Sequence, residues 1–503
     1  MEMDFKEDIV SGTVEEDGSL ARRAVKGGVW VFALKTAHRV LGLIRTIILA
    51  RLLSPADFGL MGIAVLAIGT LDTFSQAGLE PALVQKKGDI RPYLDTVWTV
   101  KIIRSVVLFG LLYVSAPVIA GFFKTSQALQ VIRVLAFLEL FMGIKNIGTV
   151  YFQKELQFDR RFILEFSGLV ANIGVSITLA FVLRNVWALV WGSLAGAFVT
   201  GIVSYMVHPY RPRIRFGSGK AKELFRFGKW LFGSSILYFL ITQGDNAFVG
   251  KVIGITALGL YQMAYQLSNA PATEITHVVS SVTFPVYSKI QDDMARLRKV
   301  YSEVLQLNVF LAAPMATGIF ILAPDFTRIF LGEKWLPMVP AMQLLALAGF
   351  LRALAGTTGA MFYALGRPKT ETLWQGIRLA TLAALIFPLS MQWGISGTAL
   401  AVCASILVAT VGFFHSVTRL TRIPFGILAK AIGYPVANTV VMAAFMAFMR
   451  RKMQIAGIPG FIFLVLAGLA VYLVASYVFE RFSSYDVFNV LKTRLKGQAG
   501  HDR

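Results

Sequence analysis

The stretch GVWVFALKTAHRVLGLIRTIILARLL, residues 28–53, decides the fold. It is apolar over the ~20 residues that a helix needs to cross a hydrocarbon core, yet it carries Lys35, His38, Arg39 and Arg45. At ~100° per residue these four fall within an arc of roughly 120° on one side of a helix, with Gly42 between them. Trp30, Phe32, Leu41, Ile44, Ile47 and Ile48 supply apolar surface elsewhere. A cation at mid-membrane depth costs at least ~2.5–3.5 kcal/mol, so a stripe of them is tolerated only beside a wet cavity or a counter-charge. The segment predicts a membrane helix that borders a positively charged internal cavity.

Composition agrees. The 503 residues are 56% hydrophobic and 15% charged, with a mean hydropathy of +0.65; a soluble domain is ~25% charged. The net charge of +21 does not point to nucleic acid, because the basic residues are dispersed along hydrophobic hairpins instead of forming a basic domain interleaved with aromatics. Cys403, the single cysteine, lies in an apolar stretch and permits no intramolecular disulfide. Residues 1–27 are polar and rich in Glu and Asp, without the basic start, short apolar core and small-residue cleavage site of a signal peptide.

Apolar windows of ~20 residues predict about fourteen spans. They cover 28–51, 58–80, 95–121, 129–152, 163–184, 186–207, 229–250, 262–288, 304–324, 338–365, 371–392, 395–417, 426–449 and 458–479. The runs are too long for strands and lack period-two alternation, so the fold class is an all-α integral membrane bundle. With a cytoplasmic amino terminus, the inside loops hold most of the lysine and arginine, as in Arg211, Arg213, Arg215, Lys220 and Lys222. Both termini are then cytoplasmic, and most of the net charge is a topology signal. The exception is Arg450, Arg451 and Lys452 in an outside loop.

An internal repeat refines this. At an offset of 200 residues Gly28 aligns with Gly228, Trp30 with Trp230, Phe32 with Phe232, Gly59 with Gly259, Leu60 with Leu260 and Ala64 with Ala264. The offset equals six spans, so the copies share one membrane orientation, implying lobes related by an axis along the membrane normal. The expected organisation is a polar cytoplasmic tail at 1–27, a six-helix lobe at 28–207, a basic cytoplasmic linker at 208–228, a second six-helix lobe at 229–417, two further helices at 418–480 and a cytoplasmic tail at 481–503. Arg45 corresponds to Asp245, which raises the question of whether these opposite charges pair. The stripe itself is not repeated, since Lys35, His38 and Arg39 correspond to Ser235, Tyr238 and Phe239.

Several segments carry a resemblance. They are Ala50-Arg51-Leu52-Leu53-Ser54-Pro55-Ala56-Asp57-Phe58-Gly59, Gln153-Lys154-Glu155-Leu156-Gln157-Phe158, Tyr210-Arg211-Pro212, Gly259-Leu260-Tyr261 with Ala264-Tyr265, Phe284-Pro285 followed by Lys289-Ile290-Gln291-Asp292-Asp293, and Gly332-Glu333-Lys334-Trp335. In this order they resemble the Wzx-like polysaccharide flippases of the multidrug/oligosaccharidyl-lipid/polysaccharide exporter superfamily, and are most similar to the colanic-acid exporter type. The resemblance implies two six-helix lobes around a central cavity, two additional C-terminal helices, and alternating access for a polyprenyl-diphosphate-linked oligosaccharide in the bacterial cytoplasmic membrane. Implied partners are that lipid-linked oligosaccharide, membrane lipids, and polysaccharide polymerase and export machinery. No cofactor is implied.

Such a cargo needs fixed cations to shield its diphosphate from hydrocarbon. Lys35 and Arg39 lie ~10 and ~16 Å along the first helix from Gly28 at 1.5 Å per residue and are the leading candidates, since Arg binds phosphate bidentately and Lys acts as a point charge. His38, Arg45, Lys101, Arg104 and Arg352 are further candidates, although Lys101, Arg104 and Lys145 equally suit snorkelling to the interface. Asp72, Glu139, Asp245 and Glu274 lie within spans, where a carboxylate serves a proton or sodium gradient or pairs with a buried cation. Gly192 and Gly196 read as a close-packing pair, and Pro271, Pro285, Pro314 and Pro388 as kinks. No P-loop, nucleophile elbow, zinc motif or cysteine cluster is present, so an enzyme is not expected. The alternatives are a membrane polysaccharide polymerase or ligase, and a drug antiporter of the same superfamily, whose cavity would attract cations through carboxylates.

Overall fold

The computed structural model describes residues 30, 33–75, 78–219, 239–452 and 457–482, with backbone alone over 270–282. The polar tail, the final tail, part of the basic linker and the Glu274 side chain lie outside these. Backbone polar groups have no water partner in hydrocarbon and must be satisfied within each segment. Accordingly the described residues are helical wherever the sequence is apolar over a span.

Among the described residues, ten helices are long and apolar enough to cross a membrane. One of these, Pro368–Thr421, holds non-helical backbone at Trp393 and Gly394 and is two helices. Ser390 and Thr398, eight positions apart, would stand ~12 Å apart in a continuous helix, yet their hydroxyls lie 2.7 Å apart. The chain therefore folds back at Gly394, whose φ of +56° suits a residue without Cβ. With 33–52, 239–253 and Ile255–Lys289 the described residues contain fourteen helical passes, in agreement with the sequence reading.

In chain order they are α1 (33–52), α2 (Pro55–Ser75), α3 (Arg91–Phe122), α4 (Gln127–Ile144), α5 (Phe158–Leu183), α6 (Trp187–Val207), α7 (239–253) and α8 (Ile255–Lys289). The remainder are α9 (Met294–Phe326), α10 (Val339–Ala364), α11 (368–392), α12 (395–421), α13 (Phe425–Lys452) and α14 (Gly457–Phe482).

The family-like segments prove to be helix punctuation. Ser54 precedes α2 as its N-cap. Its hydroxyl accepts from the Asp57 backbone N–H at 3.3 Å, while the Asp57 carboxylate accepts from the Ser54 N–H at 2.9 Å and its hydroxyl at 2.6 Å. This is a capping box with Pro55 at the first helical position. Gly332 takes φ +101° and turns the chain so that Trp335 is fully buried.

Two compact units are present, 1–251 and 252–503. In the first, α5 and α6 pack backbone to backbone. A Cβ at Gly196 would lie 2.9 Å from the Gly168 carbonyl oxygen, and one at Gly192 would lie 2.5 Å from the Ser176 Cβ, so the pair does serve close packing. Leu49 and Leu53 of α1 bury against Ala180, Ala188 and Leu189. Lys251 donates to the Phe122 carbonyl at 2.5 Å and joins α7 to α3.

Asn146, fully buried, closes the end of this unit that carries the 208–217 linker. Its backbone N–H donates to Ser204 Oγ at 3.0 Å, its Nδ2 donates to the Tyr210 carbonyl at 2.7 Å, and its Oδ1 accepts from Gly148 at 2.8 Å. The linker is fixed along α3, because the Asp95 carboxylate accepts from Tyr210 Oη at 2.6 Å and from the Arg213 N–H at 2.9 Å.

In the second unit α13 and α14 attach to α9 through Phe310, Leu322, Met442, Met446, Leu464 and Tyr472. The basic cluster that departs from the inside rule is partly explained there. Arg450 pairs with Asp325 of α9 at 2.7 Å.

Candidate functional site

A cavity of about 1090 Å³ opens within the first unit among α1 to α6. Its lining brings together four of the sequence candidates for the substrate, His38, Arg45, Lys101 and Arg104, and the ion-coupling candidate Asp72. Lys35, which is exposed, and Arg39, which is half-buried, lie outside that lining.

Arg104 of α3 reaches across to the end of α2. Its Nε donates to the Ser75 carbonyl at 3.2 Å and to Ser75 Oγ at 3.0 Å. Its Nη2 donates to the Asp72 carbonyl at 3.2 Å and pairs with the Asp72 carboxylate. One turn earlier on α3, Lys101 pairs with Glu80 at 2.6 Å. Glu80 belongs to a short helix, Leu79–Gln85, between α2 and α3. These are the counter-charges that a cation in a span requires.

Arg45 Nε donates to Ser176 Oγ of α5 at 3.0 Å. It has no ion pair among the described residues, so it does not pair with Asp245. Asp245 is buried, accepts from the Asn246 N–H at 2.9 Å, and stands outside the lining. Lys145 at the end of α4 lines the cavity and has neither a hydrogen bond nor an ion pair among the described residues. Arg45 and Lys145 are thus the two fixed cations of the lining that make no ion pair among the described residues, although Glu80 and Glu165 lie near enough to Lys145 to act on its charge.

The lining also holds Glu80, Glu139 and Glu165, which with Asp72 make four carboxylates beside the four fixed cations Arg45, Lys101, Arg104 and Lys145. Glu165 pairs with Arg161, one turn back on α5, at 2.7 Å. The expected excess of positive charge is absent from this lining. Its charge is mixed because two of the four cations, Lys101 and Arg104, meet an acid on a neighbouring helix and two further acids, Glu139 and Glu165, face the same space.

The contribution of α5 and α6 was missed from the sequence. Glu165, Gly168, Asn172 and Ser176 recur every three or four positions of an otherwise apolar helix, as do Ser193, Ala197 and Thr200 on α6. All but Ser176 line the cavity. That periodicity marks a polar face and was the available signal.

Arg352 lies in the second unit, on α10. Its Nη1 donates to Tyr265 Oη of α8, and the guanidinium stacks 4.9 Å from the Tyr265 ring. Its Nε and Nη2 are buried and have no hydrogen-bond partner among the described residues.

A family profile described as "Polysaccharide biosynthesis protein" matches residues 48–340. The succinoglycan biosynthesis transport protein ExoT of Rhizobium meliloti is 24% identical over 459 residues, covering 90% of this chain and 91% of that protein. The lipopolysaccharide biosynthesis protein WzxC of Escherichia coli K12 is 25% identical over 355 residues, covering 69% of this chain and 71% of WzxC. Among solved structures, the lipid II flippase MurJ in an inward closed conformation shares the fold with a TM-score of 0.72 at 16% identity, over 91% of this chain and 99% of that one. Since the profile spans more than half of a multi-pass helical membrane protein, the chain belongs to the polysaccharide biosynthesis protein family.

Proposed function

We propose that the protein is a flippase that moves polyprenyl-diphosphate-linked oligosaccharide, the repeat unit of an exopolysaccharide, capsule or O-antigen, across the cytoplasmic membrane by alternating access. The observation that carries this reading is the 1090 Å³ cavity inside a membrane-spanning unit, lined by Arg45 and Lys145, which make no ion pair among the described residues. Fixed cations in a wet cavity receive a diphosphate, and the hydroxyl and amide groups of Asn172, Ser193 and Thr200 offer hydrogen bonds to sugar. ExoT and WzxC are named for succinoglycan transport and lipopolysaccharide biosynthesis, and MurJ as a lipid II flippase. All three names concern saccharide polymers or their lipid-linked precursor.

In this reading Lys35 and Arg39 form a cationic approach along α1, Arg45 and Lys145 receive the diphosphate within the first unit, and His38, Lys101 and Arg104 line the same cavity. Arg352 offers a separate anion contact in the second unit. Asp72, Glu139, Asp245 and Glu274 are the in-span carboxylate candidates for coupling to a proton or sodium gradient, and of these Asp72 is paired with Arg104. The chain acts as a transporter and not as an enzyme, with both termini in the cytoplasm, and hands its cargo to polymerase and export machinery.

Disruption of the gene, followed by analysis of lipid-linked intermediates, tests the reading. Single repeat units on polyprenyl diphosphate accumulate on the cytoplasmic side if it is right. Repeat units that reach the outer side but stay unpolymerised would instead identify a polymerase.

A further inference from the structure

Three of the four carboxylates in the cavity are held by cations. Asp72 is paired with Arg104, Glu80 with Lys101 and Glu165 with Arg161. Glu139 of α4 is different. Only 9% exposed, it lines the cavity and has neither an ion pair nor a side-chain hydrogen bond among the described residues.

The charges around it come from every neighbouring element. Asp72 on α2 and Arg104 on α3 act on it most directly, with Lys101 one turn away. Lys145 and Arg133 belong to its own helix, and Glu80 to the short helix before α3. His38 and Arg45 enter from α1, Arg161 and Glu165 from α5, while α6 presents only hydroxyls, amide-free small groups and apolar side chains to the cavity.

A diphosphate that settles against Arg45 and Lys145 brings at least two negative charges into a space where the unpaired Glu139 carboxyl group already stands. Like charges in a partly desolvated site favour protonation of the carboxyl group. Protonating Asp72, Glu80 or Glu165 would break an ion pair; protonating Glu139 breaks none. The protonated carboxyl also gains an O–H donor that a phosphate oxygen accepts.

We propose that Glu139 takes up one proton each time a diphosphate anion enters this cavity, so that the protein carries its anionic cargo together with a proton. This rests on the flippase reading above and adds the coupling ion and its seat. By linkage, uptake of one proton makes affinity fall tenfold for each unit of rising pH once Glu139 is ionised in the empty protein.

The test is equilibrium binding to the full-length protein in lipid nanodiscs, across a range of pH. The probe is a polyprenyl-diphosphate-linked monosaccharide, whose two esterified phosphates each keep one charge through the neutral range. Wild type is expected to lose affinity tenfold per pH unit. Glu139→Gln, which is isosteric and permanently neutral, is expected to bind as tightly as wild type at low pH and to show no slope. His38 also lines the cavity, so His38→Gln is the companion variant and is expected to keep the slope. A wild type that binds with no pH dependence overturns the proposal, as does a slope that survives in Glu139→Gln or vanishes in His38→Gln. Absence of binding at every pH overturns the flippase reading and the proposal with it.

Discussion

Arg104 satisfies a guanidinium inside an apolar helix with one carboxylate, two backbone carbonyls and a hydroxyl, all supplied by the end of α2. Removing such a partner leaves a buried charge uncompensated, which costs more than the pair itself contributes. His208 shows the same economy outside the spans. Its Nδ1 accepts from the Tyr210 N–H at 3.1 Å, and its ring stacks on Tyr151 with centroids 5.8 Å apart. Burial, together with Arg160 and Arg211, holds its imidazole below the ordinary histidine range. The folded state therefore favours the neutral ring, the unfolded chain binds more protons below its own pKa of ~6.5, and stability is lost as pH falls through that value. Lowering pH from about 7.5 to about 5.5 is expected to reduce the thermal midpoint of wild type more than that of His208→Gln; equal reductions would contradict this role. At this scale the sequence was only half legible. The cationic stripe of α1 located His38 and Arg45, but the pairing of Arg104 with Asp72, 32 positions away, depends on which faces two helices turn to each other.

Helices were legible because a span announces itself by length and apolarity, and its ends by local chemistry. The break between 371–392 and 395–417 falls at the Trp393–Gly394 reversal, and the Ser54 to Asp57 segment is a capping box. The contact of α5 with α6 was legible through Gly192 and Gly196, though its energetic weight required coordinates. Gly196 admits no Cβ without displacing the Gly168 carbonyl or Asn172. Overpacking of this kind costs about 1–3 kcal/mol. Gly196→Leu is expected to lower the thermal midpoint in detergent and to reduce cargo transport, whereas Gly174→Leu on α5, where a Cβ meets nothing within 4 Å, is expected to leave both unchanged. Equal behaviour of the two variants would remove the packing argument.

For the whole molecule, the +21 net charge divides into two roles that the sequence alone did not separate. Among the described residues, many lysines and arginines sit in loops or near helix ends, as do Lys86, Lys87, Arg211 and Arg450. Four others line the cavity of the first unit, where Lys101 and Arg104 are paired with acids and Arg45 and Lys145 make no ion pair among the described residues. Residues far apart in sequence build that balance, so the expectation of a positively charged cavity gives way to a lining of mixed charge. The central claim is that this cavity carries a lipid-linked diphosphate. Its most direct test is translocation of a fluorescent polyprenyl-diphosphate oligosaccharide in vesicles containing wild type, Arg45→Gln or Arg39→Ala protein. Wild type should move the lipid, Arg45→Gln should slow it at least about tenfold, equivalent to the loss of one charge-assisted contact, and Arg39→Ala should weaken capture more than maximal rate. Transport by Arg45→Gln at the wild-type rate would contradict the assignment of the cavity, and no transport by wild type under proton, sodium or zero gradient would contradict the function.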